Sequence, residues 1–449
     1  MAVAVNYQAT FNSDVENYIQ SKTLPLSQRQ LVAYQFGDQL RLPKGRGLTY
    51  TASRYDRVNL PFGPLSEGVP PVGEALNLAQ VTATCQQWGD TITITDVADM
   101  TIKHPLFQKA MELMSMQVAE TLERNTFNNL MAGTQVNYVN SRGARASIVA
   151  GDVLNPHEIN RAAAALFTLG APQYNGQMEE NAKIGVDSGG AKASSNPRGH
   201  SHYAAIIHPL VEQDMRENAT VVTAWSYGDI NRLYNNELGE WGGVRFCRSN
   251  MVPFYTGVAQ VNGTAGVAGA LATGTYYVVV TGSVAQNGYE QRIYQVSSGV
   301  SVTGPNGSIS VTVPSTAGYT YNVYIGTSTS PTNLALTTSG PTSGPYAGNA
   351  VGIAPGTTVV LTGTGVSRTP PAAPATGVTV FPTFIFGKGA YGQVVLDGIK
   401  TTYLQVPDKA DPLNQLRVMG WKINYGMLIE NQTFFMRIES SSAFGPTFG

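Results

Sequence analysis

Charged side chains are nearly absent from residues 257–377, which contain only Glu290, Arg292 and Arg368. The same stretch has no Met, Trp, Cys, His or Lys, and it consists mainly of Gly, Ser, Thr, Val and Tyr. The sequence on either side is charged throughout. This contrast excludes a single uniform domain, and it predicts a host domain that is divided in two by an inserted domain.

Cysteine and long hydrophobic runs are scarce in the whole chain. Cys85 and Cys247 are the only cysteines among 449 residues, which excludes a disulfide framework and favours two free, buried thiols in a reducing compartment. No run approaches the ~20 apolar residues that cross a bilayer, and the N-terminus lacks the pattern of a signal peptide. We therefore expect no membrane partner. The formal net charge of −1 and the pI near 6.5 exclude a chain-wide basic surface for nucleic acid.

Motifs of common catalytic sites are missing as well. The chain contains no GxSxG, HExxH or GxxxxGK[ST]. Residues 387–392 fit GxGxxG, but a strand is predicted after them, where a dinucleotide site requires a helix. His200 and His202 would share one face of a strand, but no third metal ligand is nearby. The sequence therefore predicts a protein that is not an enzyme, with no catalytic residue, no cofactor and no metal site.

The first host segments predict a strap and an arm. Residues 1–47 form an N-terminal strap, and residues 48–95 contain alternating apolar positions typical of two strands. Between these strands, residues 61–75 hold four prolines and three glycines, which predict a stiff extended tip. A lone two-stranded ribbon is marginally stable, so we expect the arm to pack on a neighbouring subunit. The alternative is an ordinary hairpin lying on its own domain.

A small group of basic residues surrounds the start of the arm. These side chains could contact another subunit or DNA phosphates. The alternative is ordinary paired surface charge. The group comprises Arg41, Lys44, Arg46, Arg54 and Arg57.

A long helix is predicted at 105–131, because Pro105 occupies the favoured first helical position and Gly133 follows the last apolar residue. Apolar residues on two sides indicate a helix held between layers or between subunits, although a plain core helix is the alternative. One side comprises Phe107, Ala110, Met111, Met114, Val118 and Leu122; the other comprises Leu113, Met116, Phe127 and Leu130.

The rest of the host predicts an α/β body. A second helix at 155–169 has Asn155 as its cap, capping-box spacing to Glu158, and Gly170 at its end. A polar loop at 175–200 leads to a strand at 203–208 and a short helix at 211–217. After the insertion, strands are predicted at 378–386, 391–396, 401–406, 417–425 and 434–439.

The inserted segment predicts an all-β sandwich of the immunoglobulin or fibronectin type III kind. Short β-rich runs alternate with turn signals, and no helical periodicity is present. Pro370, Pro371 and Pro374 indicate a stiff exit linker. The predicted strands are at 276–280, 289–296, 309–313, 320–325, 333–337 and 358–361.

The host segments contain several distinctive short motifs. They are LVAYQFGD at 31–38, LPKGRG at 42–47, PLSEGVPP at 64–71, QWGD at 87–90, ETLERN at 120–125, YNNELG at 234–239, GVRF at 243–246 and FGKGAYG at 386–392. These motifs resemble those of major capsid proteins from tailed bacteriophages. The likeness covers most of 25–255 and 378–440 and leaves out the insertion.

The resemblance implies an α+β chain with the Hong Kong 97-type capsid fold. It assigns 48–95 to an extended loop arm, and the long helix to the spine of a peripheral domain made of 96–149 and 399–449. It assigns 150–256 and 378–398 to an axial domain. The insertion at 257–377 is then an immunoglobulin-like sandwich, added to the minimal form of the family.

The implied function is self-assembly into the icosahedral head of a tailed bacteriophage that encloses double-stranded DNA. The implied partners are many copies of the chain, as hexamers and pentamers, together with DNA and separate scaffolding and portal proteins. We also expect no N-terminal scaffolding domain, because family-like sequence begins near Leu31. The implied location is the virion capsid, after synthesis in the host bacterial cytoplasm. An encapsulin-like cargo shell and an adhesin or carbohydrate-binding surface protein are the alternatives.

The insertion is expected on the outer surface of such a shell, because DNA crowds the inside and other subunits occupy the edges. Its ends, Thr256 and Val378, should lie close together, since host sequence resumes on both sides. We expect the insertion to be dispensable for folding and assembly. It would contact a neighbour, a cement protein or the host surface.

Overall fold

The computed structural model describes residues 32–55, 58, 60, 63–64, 73, 75–96, 106–174, 202–218, 237–284, 289–304, 306–342, 345–404 and 415–444. The predicted strap up to residue 31, most of the arm tip, the start of the long helix, the 175–200 loop and Arg57 lie outside these ranges.

The described chain is mostly β. Its elements are β1 (Asp38–Arg41), β2 (Thr49–Tyr55), β3 (Leu78–Thr84), β4 (Gln86–Thr95), α1 (Leu106–Met131), β5 (Val136–Tyr138), α2 (Pro156–Thr168), β6 (Tyr203–Ile207), α3 (Pro209–Glu217), β7 (Glu237–Trp241), β8 (Val244–Arg248), β9 (Tyr255–Val258), β10 (Gly263–Leu271), β11 (Gly274–Val284), β12 (Glu290–Tyr294), β13 (Val300–Val302), β14 (Gly307–Thr312), β15 (Tyr319–Gly326), β16 (Asn333–Thr337), β17 (Thr358–Ser367), β18 (Thr379–Phe386), β19 (Tyr391–Leu404), β20 (Leu416–Ile429) and β21 (Phe435–Ser440).

The long helix α1 buries two different sides, as predicted. One side packs on the sheet strand β20, and the end of the helix packs into a second cluster through Phe127 and Leu130, which are completely buried. Met111 and Leu113, which belong to the predicted apolar sides, are 54% and 39% exposed in the single chain. The side chains that face β20 are Ala110, Met114, Val118 and Leu122, and those of β20 are Met419, Trp421, Ile423 and Tyr425.

Glycines follow both predicted helix ends, for two different reasons. Gly170 follows α2 with a φ of +73°, the left-handed conformation expected of a helix-ending glycine. Gly133 follows α1 for a steric reason, because a Cβ there would lie 2.3 Å from a ring carbon of Phe435. The predicted cap of α2 is present, since the Asn155 side chain accepts from the N–H of Glu158 at 3.1 Å.

A four-stranded sheet in the order β1-β19-β20-β4 lies beneath α1. β1 runs parallel to β19, and the other pairs are antiparallel. The strands predicted at 391–396 and 401–406 form one strand, β19, whose pairing with β20 continues through two register shifts. The break predicted between these two strands is therefore present only as irregular pairing within a continuous ladder.

A carboxylate on α1 fixes the start of the described chain against this sheet. Glu123 is completely buried, and its oxygens accept from the backbone N–H groups of Val32 and Ala33 at 2.7 Å and of Tyr34 at 3.0 Å. The hydroxyl of Tyr391 on β19 donates to the carbonyl of Ala33 at 2.5 Å. Burial raises the pKa of Glu123, and the three N–H donors oppose that effect.

The largest sheet runs from the insertion into the host without interruption. Its order is β10-β14-β17-β16-β15-β11-β12-β9-β18-β6-β8-β7. The host strands β6, β8, β18 and β21 form a core with α2 and α3. The insertion strands enclose a core of their own. Strands are present at all six positions predicted for the insertion, whereas β10 and β13 were not predicted.

Candidate assembly surfaces

A two-stranded arm carries apolar side chains that the described chain does not cover. Strands β2 and β3 pair from Thr49 opposite Thr84 to Tyr55 opposite Leu78. Buried Ala83 and Cys85 fix the base of the arm to β19 and β20. Beyond the base, Tyr55 is 69%, Leu60 is 90% and Leu76 is 68% exposed. Exposed apolar side chains of this size are what the predicted subunit-contacting arm requires.

The body of the chain exposes a concave apolar surface. An apolar groove of about 490 Å³ lies between α1 and the neighbouring strands β19 and β20. Met111 and Val118 line the helix side, and Ile399 and Met419 line the sheet side. Met111 and Ile399 are 54% and 52% exposed. Met111, which belongs to a predicted apolar side of the helix, thus lines an open apolar surface.

The described basic residues near the arm lie on the surface. Arg41, Lys44, Arg46 and Arg54 are all exposed. The Lys44 ammonium lies 3.7 Å from a carboxylate oxygen of Asp397, and Lys400 also pairs with this carboxylate. Such exposed pairs contribute little to stability. Contact of these residues with DNA or with another subunit stays a prediction.

The two ends of the insertion lie side by side, as expected from the sequence. Thr256 on β9 is opposite Thr379 on β18, and their hydroxyls are 3.0 Å apart. The N–H of Gly257 donates to the carbonyl of Val378 at 2.9 Å. A Cβ at Gly257 would lie 2.2 Å from the carbonyl oxygen of Ala375, so the entry strand and the exit linker approach each other closely only with glycine at this position.

A buried ion network joins the exit linker to the host. Arg145 donates to both carboxylate oxygens of Glu439, at 2.6 and 2.7 Å, and to the carbonyl of Ala372 in the linker at 3.0 Å. Its guanidinium also lies 4.3 Å from the ring centre of Tyr255 on β9. Arg437 lies 3.0 Å from Glu439 and donates to the carbonyl of Met131 at the end of α1. The network therefore connects the linker, α1 and the central sheet.

Two neighbouring residues at the start of β12 make buried contacts, one with the host and one within the insertion. Tyr289 lies directly before β12, and its buried side chain packs with host residues. Its hydroxyl donates to the carbonyl of Arg124 on α1 at 3.2 Å. Next to it, the buried Glu290 carboxylate accepts from Asn322, Tyr324 and Arg368 at 2.6, 2.7 and 2.8 Å. The Tyr289 contact attaches the insertion to the long helix, whereas the Glu290 contacts stay within the insertion and stabilise its interior.

No protein-family model and no curated protein matches the chain. Among solved structures, the capsid of Ralstonia phage GP4 matches with a TM-score of 0.49 and 9% identity, over 98% of this chain and 98% of that chain. The acidic stable capsid structure of Helicobacter pylori bacteriophage KHP30 matches with a TM-score of 0.49 and 7% identity, over 98% of both chains. The capsid of cyanophage P-SCSP1u has a TM-score of 0.48 and 10% identity, over 95% of this chain and 93% of that chain. These structural neighbours are bacteriophage capsids.

Both cysteines and one of the two paired histidines lie in the interior. Cys85 and Cys247 are buried and form no disulfide, as predicted. His202 is completely buried and stacks on Tyr174, whereas His200 lies outside the described residues. Within the described ranges, no three His, Cys, Asp or Glu side chains are grouped as metal ligands, and no helix is long and apolar enough to cross a membrane.

Proposed function

We propose that this chain is the major capsid protein of a tailed bacteriophage and that it assembles into an icosahedral shell around double-stranded DNA. The observation that carries the proposal is that one chain has both an exposed apolar arm and an open apolar groove. Both surfaces would be covered when the arm of one subunit lies on the body of the next. Burial of apolar area supplies the driving force, at roughly 25 cal/mol per Å².

The proposed architecture is the Hong Kong 97-type fold. In this assignment, 1–47 is the strap, 48–95 is the arm, 96–149 with 399–449 is the peripheral domain, and 150–256 with 378–398 is the axial domain. The host motifs near the arm, the long helix and the FGKGAYG segment at 386–392 support this assignment. The insertion at 257–377 would be an immunoglobulin-like sandwich on the outer surface.

Electron microscopy of the purified chain tests the proposal directly. We expect the wild-type chain to form closed shells, and we expect Leu60→Glu combined with Leu76→Glu to leave folded, unassembled protein. Ile399→Glu should have the same effect from the side of the groove. Val149→Glu is a matched control, because Val149 is 46% exposed but lies in neither surface.

Normal shells from both the arm variant and the groove variant would contradict the proposed mechanism. Shells that never contain nuclease-protected DNA in infected cells would instead favour a cargo shell. A chain that stays unassembled but binds glycans or cell surfaces would favour the adhesin alternative.

A further inference from the structure

One edge of the largest sheet is open within the insertion. β10 is the first strand of this sheet and, among the described residues, it is paired with β14 alone. Regular pairing covers Gly263 to Gly266, and the register then shifts. Thr264 and Ala265 are exposed on this strand, and Val267 is 80% exposed. The outward N–H and C=O groups of the segment are therefore accessible to another strand.

The sequence of β10 lacks the usual protection of an edge. Its residues are Gly, Thr, Ala, Val and Leu, with no charge and no proline. Among the other strands of the two larger sheets that pair with one strand only, β1 carries Asp38 and Arg41, β4 carries Asp90 and β7 carries Glu240. The strands β5 and β13 are uncharged, but each is only three residues long. Charges, proline and short length are the common means of preventing edge pairing, and β10, with nine residues, is the longest described edge strand of these two sheets that lacks both charge and proline.

The charges of the insertion are also engaged away from this edge. Arg368 pairs with buried Glu290 at 2.8 Å. Arg292 lies 4.7 Å from the ring centre of Tyr319 and donates to the Thr316 hydroxyl at 3.1 Å. Two copies of β10 can therefore approach without repulsion between like charges, and their small side chains leave room for close contact between backbones.

We infer that β10 pairs, antiparallel and edge to edge, with β10 of a second copy of this chain. The contact would connect the insertions of neighbouring subunits. A segment of four regularly paired residues is a weak contact by itself. The inference therefore rests on the proposed shell, in which neighbouring subunits hold two insertions at high effective concentration.

Crosslinking and imaging of full-length particles test this contact. Thr264→Cys lies in the pairing segment, whereas Val366→Cys is a matched control on the interior strand β17, where Val366 is 41% exposed. Both native thiols are buried. We expect a short bismaleimide to convert at least half of the Thr264→Cys chains to dimers, with at least tenfold less dimer from Val366→Cys.

Imaging of the same particles separates this inference from the proposed function. Wild-type shells should show density bridging adjacent insertions, and Thr264→Lys should remove the bridge while shells of the same diameter remain. Shells with isolated insertions and no Thr264→Cys dimer would overturn the inference and leave the proposed function intact. If the wild-type chain makes no shells, the proposed function fails. Crosslinking of the purified Thr264→Cys chain then tests the edge pairing separately. Dimers would support pairing of β10, and monomers would overturn it.

Discussion

The hydroxyl of Tyr289 in the insertion donates to the backbone carbonyl of Arg124 in the long helix at 3.2 Å. Tyr289 is only 4% exposed, and it packs among host side chains that include Phe127 and Tyr391. The insertion thus contributes a side chain to the host core. The expectation that the insertion is dispensable stays a prediction, but this contact adds an energetic cost to its removal.

We predict that Tyr289→Ala lowers the free energy of unfolding by about 3–5 kcal/mol, as for other buried aromatic side chains. Tyr289→Phe should lower it by about 1 kcal/mol, because only the hydrogen bond is lost. Denaturant unfolding measures both values, and Tyr277→Phe in the insertion is the control. Equal stability of Tyr289→Ala and wild type would show that this residue does not support the host.

Replacement of 257–377 by a Gly/Ser linker should still give shells, with a lower melting temperature.

Removal of Arg145 should be among the most damaging single changes in the host. Glu439 is completely buried, so Arg145→Ala would leave its charge with Arg437 as the remaining cation of the network. We expect a loss of about 3–5 kcal/mol in the free energy of unfolding. Lys44→Ala is the control, because Lys44 is 77% exposed in its pair with Asp397 and its loss should cost about 1 kcal/mol or less. Similar losses for the two variants would argue against a special role of the buried network.

Acid should weaken the part of the host around His208. The ring caps α3 by accepting from the N–H of Leu210 and packs on Phe381, and burial lowers the pKa of His208 from 6.5 to about 4. Between these two pH values the unfolded chain binds the proton more readily, so stability is full above pH 6.5 and falls as the pH approaches 4. At about 1.4 kcal/mol per pKa unit, the loss is at most about 3.5 kcal/mol.

The matched variant His208→Asn isolates this effect, because Asn retains a capping oxygen but does not titrate. Burial raises the pKa of Glu123, which gives the opposite pH dependence in both proteins. The difference in unfolding free energy between wild type and His208→Asn should therefore shrink or reverse as the pH falls from 7 to 4. A difference that stays constant across this range would contradict the assignment.

The amino-acid sequence by itself determined the elements whose signals are local. Alternating apolar residues predicted β2 and β3, and the Asn155 and Gly170 caps predicted the ends of α2. The loss of charge distinguished 257–377 from the sequence on either side, and its assignment as an inserted domain stays a prediction. These signals depend on a few neighbouring residues, so they can be recognised in the sequence before any contact is known.

Tertiary structure decided everything that depends on partners distant in sequence. Nothing near Glu123 indicates that its carboxylate binds the backbone 90 residues away, or that Arg145 pairs with Glu439 across 294 residues. The open edge of β10 was equally hidden, because its residues have weak strand propensity and only the order of the sheet makes it an end. Buried polar side chains and sheet edges are defined by what surrounds them, and the surroundings exist only after the chain has folded.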